Sequence, residues 1–223
     1  MLRRAPGSSR SDVERLFARI EPTIDRVRLR LLFEAHRGAP FDLAEAADYE
    51  RKLQIAIVKA FLHGLHTLPS LRILDIGHGG GYFVTVARRL GHDAHGTEVP
   101  VDRLPDRAAR LYAELTAALG YHDERRLVVE RFVPMKLDGA YDLITAHKIC
   151  FNDHMKPTSW NVPEWQFFVD DARRFLAPRG KLVLELNENI RRYGALRWYD
   201  ADVLAFFTSV GGVDGNWITI PRS

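Results

Sequence analysis

From residue 11 the apolar positions recur at helical spacing: Val13, Leu16, Phe17, Ile20 and Ile24. Ser11-Asp-Val-Glu14 just precedes them with the spacing of a capping box, in which hydroxyl and carboxylate satisfy each other's orphan backbone amides. His36-Arg-Gly38-Ala-Pro40 interrupts the run. Asp42-Leu-Ala-Glu45 then reads as a second helix start, extended by Leu53, Ile57, Phe61 and Leu65. The pattern predicts a helical cap over 11–67, so that 1–67 is expected to form an N-terminal helical cap or lid and 68–223 the core.

At residue 71 the rhythm changes. Leu71 to Ile76 is a short apolar run that ends in glycines, as a buried strand does. Tyr82 to Leu90 places Phe83, Val86, Ala87 and Leu90 on one helical face, with Gly91 as the stop. Strands are then expected at 93–99, 126–130, 141–147, 181–187 and 217–220. Helices are expected at 106–119, at 163–176 with proline in its first turn, and at 200–210. Strands alternating with helices predict an α/β fold: a mostly parallel central sheet with helices on both faces. Ligands of such sheets bind beyond the carboxyl ends of the strands.

The chain has 223 residues, of which 46% are hydrophobic and 27% charged, which is ordinary for a folded domain and excludes a disordered or fibrous chain. Its one cysteine, Cys150, excludes a disulfide scaffold, suggests a reducing compartment, and is read as a small buried hydrophobe. No stretch reaches the ~18 apolar residues of a membrane span, and no apolar segment follows the basic start, so a cytoplasmic protein is expected. The net charge of +3 does not call for nucleic acid. The arginine pairs and triplets lack interleaved aromatics and read as solvated faces.

Candidate chemistry concentrates at Asp75-Ile-Gly77-His78-Gly79-Gly-Gly81, where a strand runs through glycines into a helix. Glycines allow close backbone approach, and the helix start offers unpaired amides and partial positive charge. Tyr82 stands where a dinucleotide fingerprint needs its third glycine, and no Gly-Lys-Ser/Thr follows, so neither a nicotinamide fingerprint nor a P-loop fits. Glu98 lies at the end of the next expected strand, where a carboxylate can accept both hydroxyl protons of a ribose.

These residues resemble the class I S-adenosylmethionine-dependent methyltransferases, over about residues 70–210. Asp75 to Gly81 looks like their first motif, and Glu98 matches their ribose-binding acid. Ala140 to Ala146 resembles the fourth-strand motif and Leu176-Ala-Pro178-Arg-Gly180 the fifth-strand motif. The resemblance implies a Rossmann-like fold and S-adenosylmethionine as cofactor. Gly77, Gly79 and Gly81 would lie under its methionine part and ribose, Asp75 would face its amino group, His78 its carboxylate, and Val99 its adenine. The family's acid after the third strand is replaced by Arg131 or Phe132, which puts Phe132 beside the adenine. The family's closing hairpin is expected to lack a strand or to have a very short one, because the sequence ends soon after 217–220.

Methyl transfer needs the acceptor held ~3–3.5 Å from the methyl carbon, and a base only where the acceptor must shed a proton. His147, at the carboxyl end of the fourth strand, and His154 are the candidate bases, and His147 is also placed near the cofactor. Asn187, Glu188 and Asn189 could hydrogen-bond a polar substrate or make a turn. Trp160 and Trp165 could close over a substrate or pack on the next helix. His147, Cys150 and His154 lack the spacing of a metal site. The absence of an Asn/Asp-Pro-Pro-Tyr/Phe run argues against nucleic-acid bases. The expected activity is methylation of oxygen or nitrogen on a small polar or sugar-like acceptor, with a homodimer through the N-terminal helices a further expectation. The alternatives are a non-catalytic cofactor-binding or regulatory subunit, or an RNA or protein methyltransferase.

Overall fold

The computed structural model describes residues 10–100, 103–121, 125–153, 159–187 and 198–222. They divide into two compact units: one up to Leu71 together with His78–Arg126, the other Arg72–Gly77 together with the chain from Leu127 onward.

The first unit is mainly helical: α1 (Arg10–Ile20), α2 (Arg26–His36), α3 (Phe41–Ala47), α4 (Tyr49–Leu62), α5 (Tyr82–Arg89) and α6 (Asp106–Ala118), with one strand, β2 (Asp93–Thr97). The run expected to be one helix from residue 11 breaks at Glu21–Thr23, a 3-10 turn holding Pro22, which has no amide to donate. Asp25 restarts the helix: its carboxylate accepts the Arg28 amide hydrogen at 3.0 Å. Asp48 caps α4 the same way, through the Arg51 amide at 3.2 Å. Within this unit α4 packs along α5 and α2 against α6. Leu29, Leu53, Ile57, Val84, Val86 and Leu115 are fully buried.

The second unit holds β1 (Arg72–Ile76), β3 (Tyr141–Ile149), α7 (Val162–Arg173), β4 (Leu176–Leu186), α8 (Ala201–Val210), β5 (Gly212–Asp214) and β6 (Trp217–Pro221). Its strands run in the order β1-β3-β4-β6-β5. β1, β3 and β4 are parallel, while β6 lies antiparallel to both β4 and β5. The closing hairpin is therefore present, and β5, at three residues, is the very short strand.

Register separates the two faces of this sheet. Leu74, Ile144, Leu182 and Ile220 align across the strands, as do Ala146, Leu184 and Ile218, and all are buried in one apolar cluster with Trp165, Phe168 and Phe207. Side chains alternate along a strand, so the intervening residues share the opposite face. There Asp75, Thr145, Val183 and Thr219 align, and one step toward the carboxyl ends of β3 and β4 lie His147, Glu185 and Trp217. The apolar face makes the core and the other face carries polar chemistry.

Three expectations need correction. The strand expected at 126–130 is a single bridge, Glu98 to Arg126. Leu127 and Val129 are buried as an alternating pattern requires, but they serve the apolar cluster without extending a ladder. The helix expected to reach residue 176 stops at Arg173. Leu176 pairs with Tyr141, so β4 begins five residues earlier than expected and passes Pro178 through a register shift. Gly180 permits this, since a β-carbon there would lie 2.5 Å from the Tyr141 carbonyl oxygen. Cys150 is exposed, because it follows the bulge at His147–Ile149 that ends β3. Among the described residues no helix is long and apolar enough to cross a membrane.

Candidate functional site

In the first unit the glycine loop is strapped to the end of β2. The His78 amide donates to the Thr97 carbonyl at 3.0 Å, and the Gly81 amide donates to the His78 carbonyl at 3.0 Å. Glu98 completes the strap: one carboxylate oxygen accepts the Gly79 amide at 2.9 Å, the other the Val99 amide at 2.9 Å. A charged acceptor makes such bonds short and strong. A small groove of about 60 Å³, partly open to solvent, runs past Gly79, Glu98, Val99, Tyr112 and Arg126.

The glycines divide by their surroundings. Gly79 has φ 55° and nothing within 4 Å of where a β-carbon would sit, so its backbone faces open space. Gly77, which ends the segment carrying β1, is likewise open at φ 71°. At Gly80 and Gly81 a β-carbon would strike the Tyr82 and Tyr121 rings, each at 2.8 Å. The His78 ring is tucked inward. It stands edge-on to Tyr121 at 5.3 Å and covers Gly96 so closely that a β-carbon there would meet it at 2.6 Å.

In the second unit the polar face of the sheet carries a linked set. Asp75, 3% exposed, receives the Thr145 hydroxyl hydrogen at 2.7 Å and lies 3.2 Å from His147 Nδ1, both contacts falling on the same carboxylate oxygen. His147 is edge-on to Trp217 at 5.8 Å. Glu185, buried between their strands, reaches the Lys148 ammonium at 3.7 Å. The register explains the grouping: Asp75 and Thr145 are partners, His147 is two residues on, and Glu185 pairs with both His147 and Trp217.

The remaining expectations fall as follows. Phe132 is 54% exposed at φ 57°, with its ring edge-on to Phe167 at 5.7 Å. Its neighbour Arg131 is tied to Asp153 at 3.0 Å and to Glu164 at 2.8 Å. Trp160 and Trp165 are both buried and pack together with Phe151 and Phe168, which is the packing reading. The Asn187 side-chain amide donates to the Lys148 and Ile149 carbonyls at 2.9 and 2.8 Å, so it fastens the bulged end of β3. His154, Glu188 and Asn189 lie outside the described residues. Sequence reasoning missed Tyr112, Thr116, Tyr121 and Thr145. They sit in ordinary helix, loop and strand patterns, and only the fold brings Tyr112 to the groove, the Tyr121 ring and the Thr116 methyl group to Gly81, and the Thr145 hydroxyl to Asp75.

A nucleoside-bearing cofactor fits these residues. Glu98 is an acceptor suited to paired ribose hydroxyls, and the bare backbone at Gly79 leaves the close approach such a ligand needs. Among the described residues no three histidine, cysteine, aspartate or glutamate side chains are grouped to hold a metal ion.

No protein-family profile matches the sequence, and no curated protein matches it. Solved structures do. Magnesium protoporphyrin IX methyltransferase from Synechocystis, solved with bound SAH, aligns over 83% of this chain and 89% of its own, at 16% identity and a TM-score of 0.51. A TehB-like SAM-dependent methyltransferase from Corynebacterium glutamicum aligns over 80% and 96%, at 18% identity and a TM-score of 0.45. The protoporphyrin enzyme's alignment and the β1-β3-β4-β6-β5 sheet with its antiparallel end agree: this chain has the Rossmann-like α/β fold of the class I S-adenosylmethionine-dependent methyltransferases.

Proposed function

We propose that the protein is a methyltransferase that uses S-adenosylmethionine and acts on oxygen or nitrogen of a small polar or sugar-like acceptor. The observation that carries this is the Glu98 carboxylate bound to the Gly79 amide at 2.9 Å, at the head of an open glycine loop. Glu98 holds the ribose hydroxyls and Val99 lies against the adenine. Gly79 and Gly81 run beneath the ligand's ribose and methionine. When bound, the ligand supplies a sulfonium methyl group that is already activated by its charge. The chain's own task is to bind, orient and exclude water.

Calorimetry with S-adenosylhomocysteine tests the binding half. Glu98→Ala removes hydrogen bonds to a charged group, worth roughly 1.5–3 kcal/mol, or about 10- to 100-fold in affinity. Gly79→Val fills the open approach and also abolishes binding. Undiminished affinity in both variants overturns the assignment. The acceptor class is tested with methyl-labelled donor and fractionated cell extract. Label is expected in the small-molecule fraction, and label confined to RNA or protein contradicts that part of the reading. The lack of an Asn/Asp-Pro-Pro-Tyr/Phe run and of aromatics among the arginine clusters supports the small acceptor.

A further inference from the structure

We propose that the outward face of α2 docks the α2 of a second copy of this chain. The two helices pack antiparallel about a two-fold axis near Leu31, so that Arg30 of each copy faces Glu34 of the other. This goes beyond the methyltransferase reading and does not depend on it.

Val27 and Leu31 are 73% and 66% exposed, the two most exposed large apolar side chains among the described residues. They stand one turn apart on the far side of α2 from Leu29 and Leu32, which are buried in the first unit. α2 thus carries apolar residues on its outer side, where a helix on a protein surface is ordinarily polar. A hollow of about 170 Å³ lies between the row Arg26–Arg30 and the row Val27–Leu31. Two neighbouring i, i+4 ridges with a groove between them are what a facing helix packs into.

Charge decides the occupant. Arg26 is matched by Glu21 at 2.9 Å, Arg28 by Glu114 at 3.9 Å and Arg37 by Glu34 at 3.6 Å. Arg30 pairs with no carboxylate among the described residues and reaches the neutral Tyr49 hydroxyl. The face is therefore one charge from neutral. That is too little to draw an anionic lipid surface or a strongly acidic protein, and too little to repel its like. Glu34 is 55% exposed and holds Arg37 loosely. Arg30 and Glu34 are one turn apart on the same border of the Val27–Leu31 stripe. A two-fold axis sets that border against itself, so Arg30 meets the partner's Glu34 and Glu34 meets the partner's Arg30. About the same axis Leu31 meets the partner's Leu31, and Val27 meets the partner's Ala35, which is also exposed. α2 has 11 residues and is about 16 Å long, so the contact makes a reversible dimer rather than a permanent one.

The test is sedimentation equilibrium of the full chain from low-micromolar to near-millimolar concentration. Wild type is expected to show a monomer–dimer equilibrium. Leu31→Asp puts a charge on the axis and is expected to abolish it. Arg30→Glu and Glu34→Arg each turn two attractions into two repulsions, and each is expected to weaken association about 10-fold. The double swap Arg30→Glu/Glu34→Arg is expected to restore association, because the pairs re-form with their signs exchanged. These side chains face solvent, and an unchanged thermal midpoint shows that each variant is folded. A wild type that stays monomeric throughout overturns the proposal. So does a dimer that persists in Leu31→Asp, which would put the contact on another face. A double swap that associates no better than the single charge variants overturns the reciprocal pairing. A monomeric wild type that sediments with phosphatidylserine vesicles overturns the second copy in favour of a lipid surface.

Discussion

The ring of Tyr121 stands 2.8 Å from the point where a β-carbon on Gly81 would project, with Thr116 Cγ2 at 3.2 Å behind it. Gly81 also has φ 80°, so two independent constraints meet at the residue that caps α5. Gly79, two residues earlier, has φ 55° but open space around it. Alanine at either position incurs the left-handed strain of ~1–2 kcal/mol. Gly81→Ala must in addition displace Tyr121. Thermal denaturation is expected to rank Gly81→Ala below Gly79→Ala, by at least ~2–4 °C for each further kcal/mol in a chain of this size. Equal midpoints would mean that Tyr121 does not shape the loop.

Tyr121 has a second task. Its hydroxyl oxygen accepts the Gly96 amide hydrogen at 2.8 Å, while Arg88 lies over its ring at 4.6 Å. Tyr121→Phe keeps the ring and removes the acceptor. A buried amide left without a partner costs about 1–3 kcal/mol. Urea denaturation is expected to show that loss with an unchanged slope. Tyr121→Phe is expected to weaken S-adenosylhomocysteine binding much less than Glu98→Ala, because Glu98 is held by the Gly79 and Val99 amides rather than by Tyr121.

The sequence carried what repeats locally. β1, α5 and α6 were legible because their apolar positions follow one period and end at Gly77, Gly91 and Gly120. The place of Glu98 just beyond β2 was legible because the strand-to-acid spacing is itself a pattern. The 126–130 segment shows where periodicity misleads: Leu127 and Val129 alternate and are buried, yet burial without a backbone partner is not a strand. Cys150 was misread because composition favours buried cysteine, whereas a bulge in β3 turned it outward. The contacts on Asp75 were illegible for a different reason. Thr145 lies 70 residues away and His147 lies 72 away, and only sheet register aligns them.

Arg131 offers a test of buried charge. It bridges Glu164 at 2.8 Å and Asp153 at 3.0 Å, and the Glu164 side chain is only 6% exposed. Glu164 also closes the α7 capping box, accepting the Asn161 amide at 2.7 Å. Arg131→Met leaves a buried carboxylate without that cation, a change that costs ~3–5 kcal/mol in fully buried pairs and about 1–3 kcal/mol here, because the Arg131 side chain is 35% exposed. Chemical denaturation is expected to show a loss of that order in Arg131→Met, and a clearly smaller one when Glu164→Gln is added. A double variant no more stable than the single would place the loss in packing rather than in charge.

Alkaline pH tests the anchor at the start of α5. Tyr82 follows the last loop glycine, is 7% exposed, and donates its hydroxyl hydrogen to the Ala46 carbonyl at 3.0 Å. Burial, with the Asp48 carboxylate second, pushes its ionisation well above the ordinary phenol range. The unfolded chain ionises this phenol near ~10 while the folded chain keeps its proton. Its contribution to stability is therefore complete below about pH 10 and falls above it, by up to about 1.4 kcal/mol per pH unit. Tyr82→Phe cannot ionise. It loses the hydrogen bond, about 1 kcal/mol at neutral pH, but escapes the alkaline decline. Burial also raises Tyr49 and Tyr199, but both remain in the variant, so the difference between the two proteins isolates Tyr82. Denaturation at a series of pH values is expected to show two stability curves that converge near about pH 11. Parallel curves across that range would mean that the Tyr82 hydroxyl ionises as readily folded as unfolded.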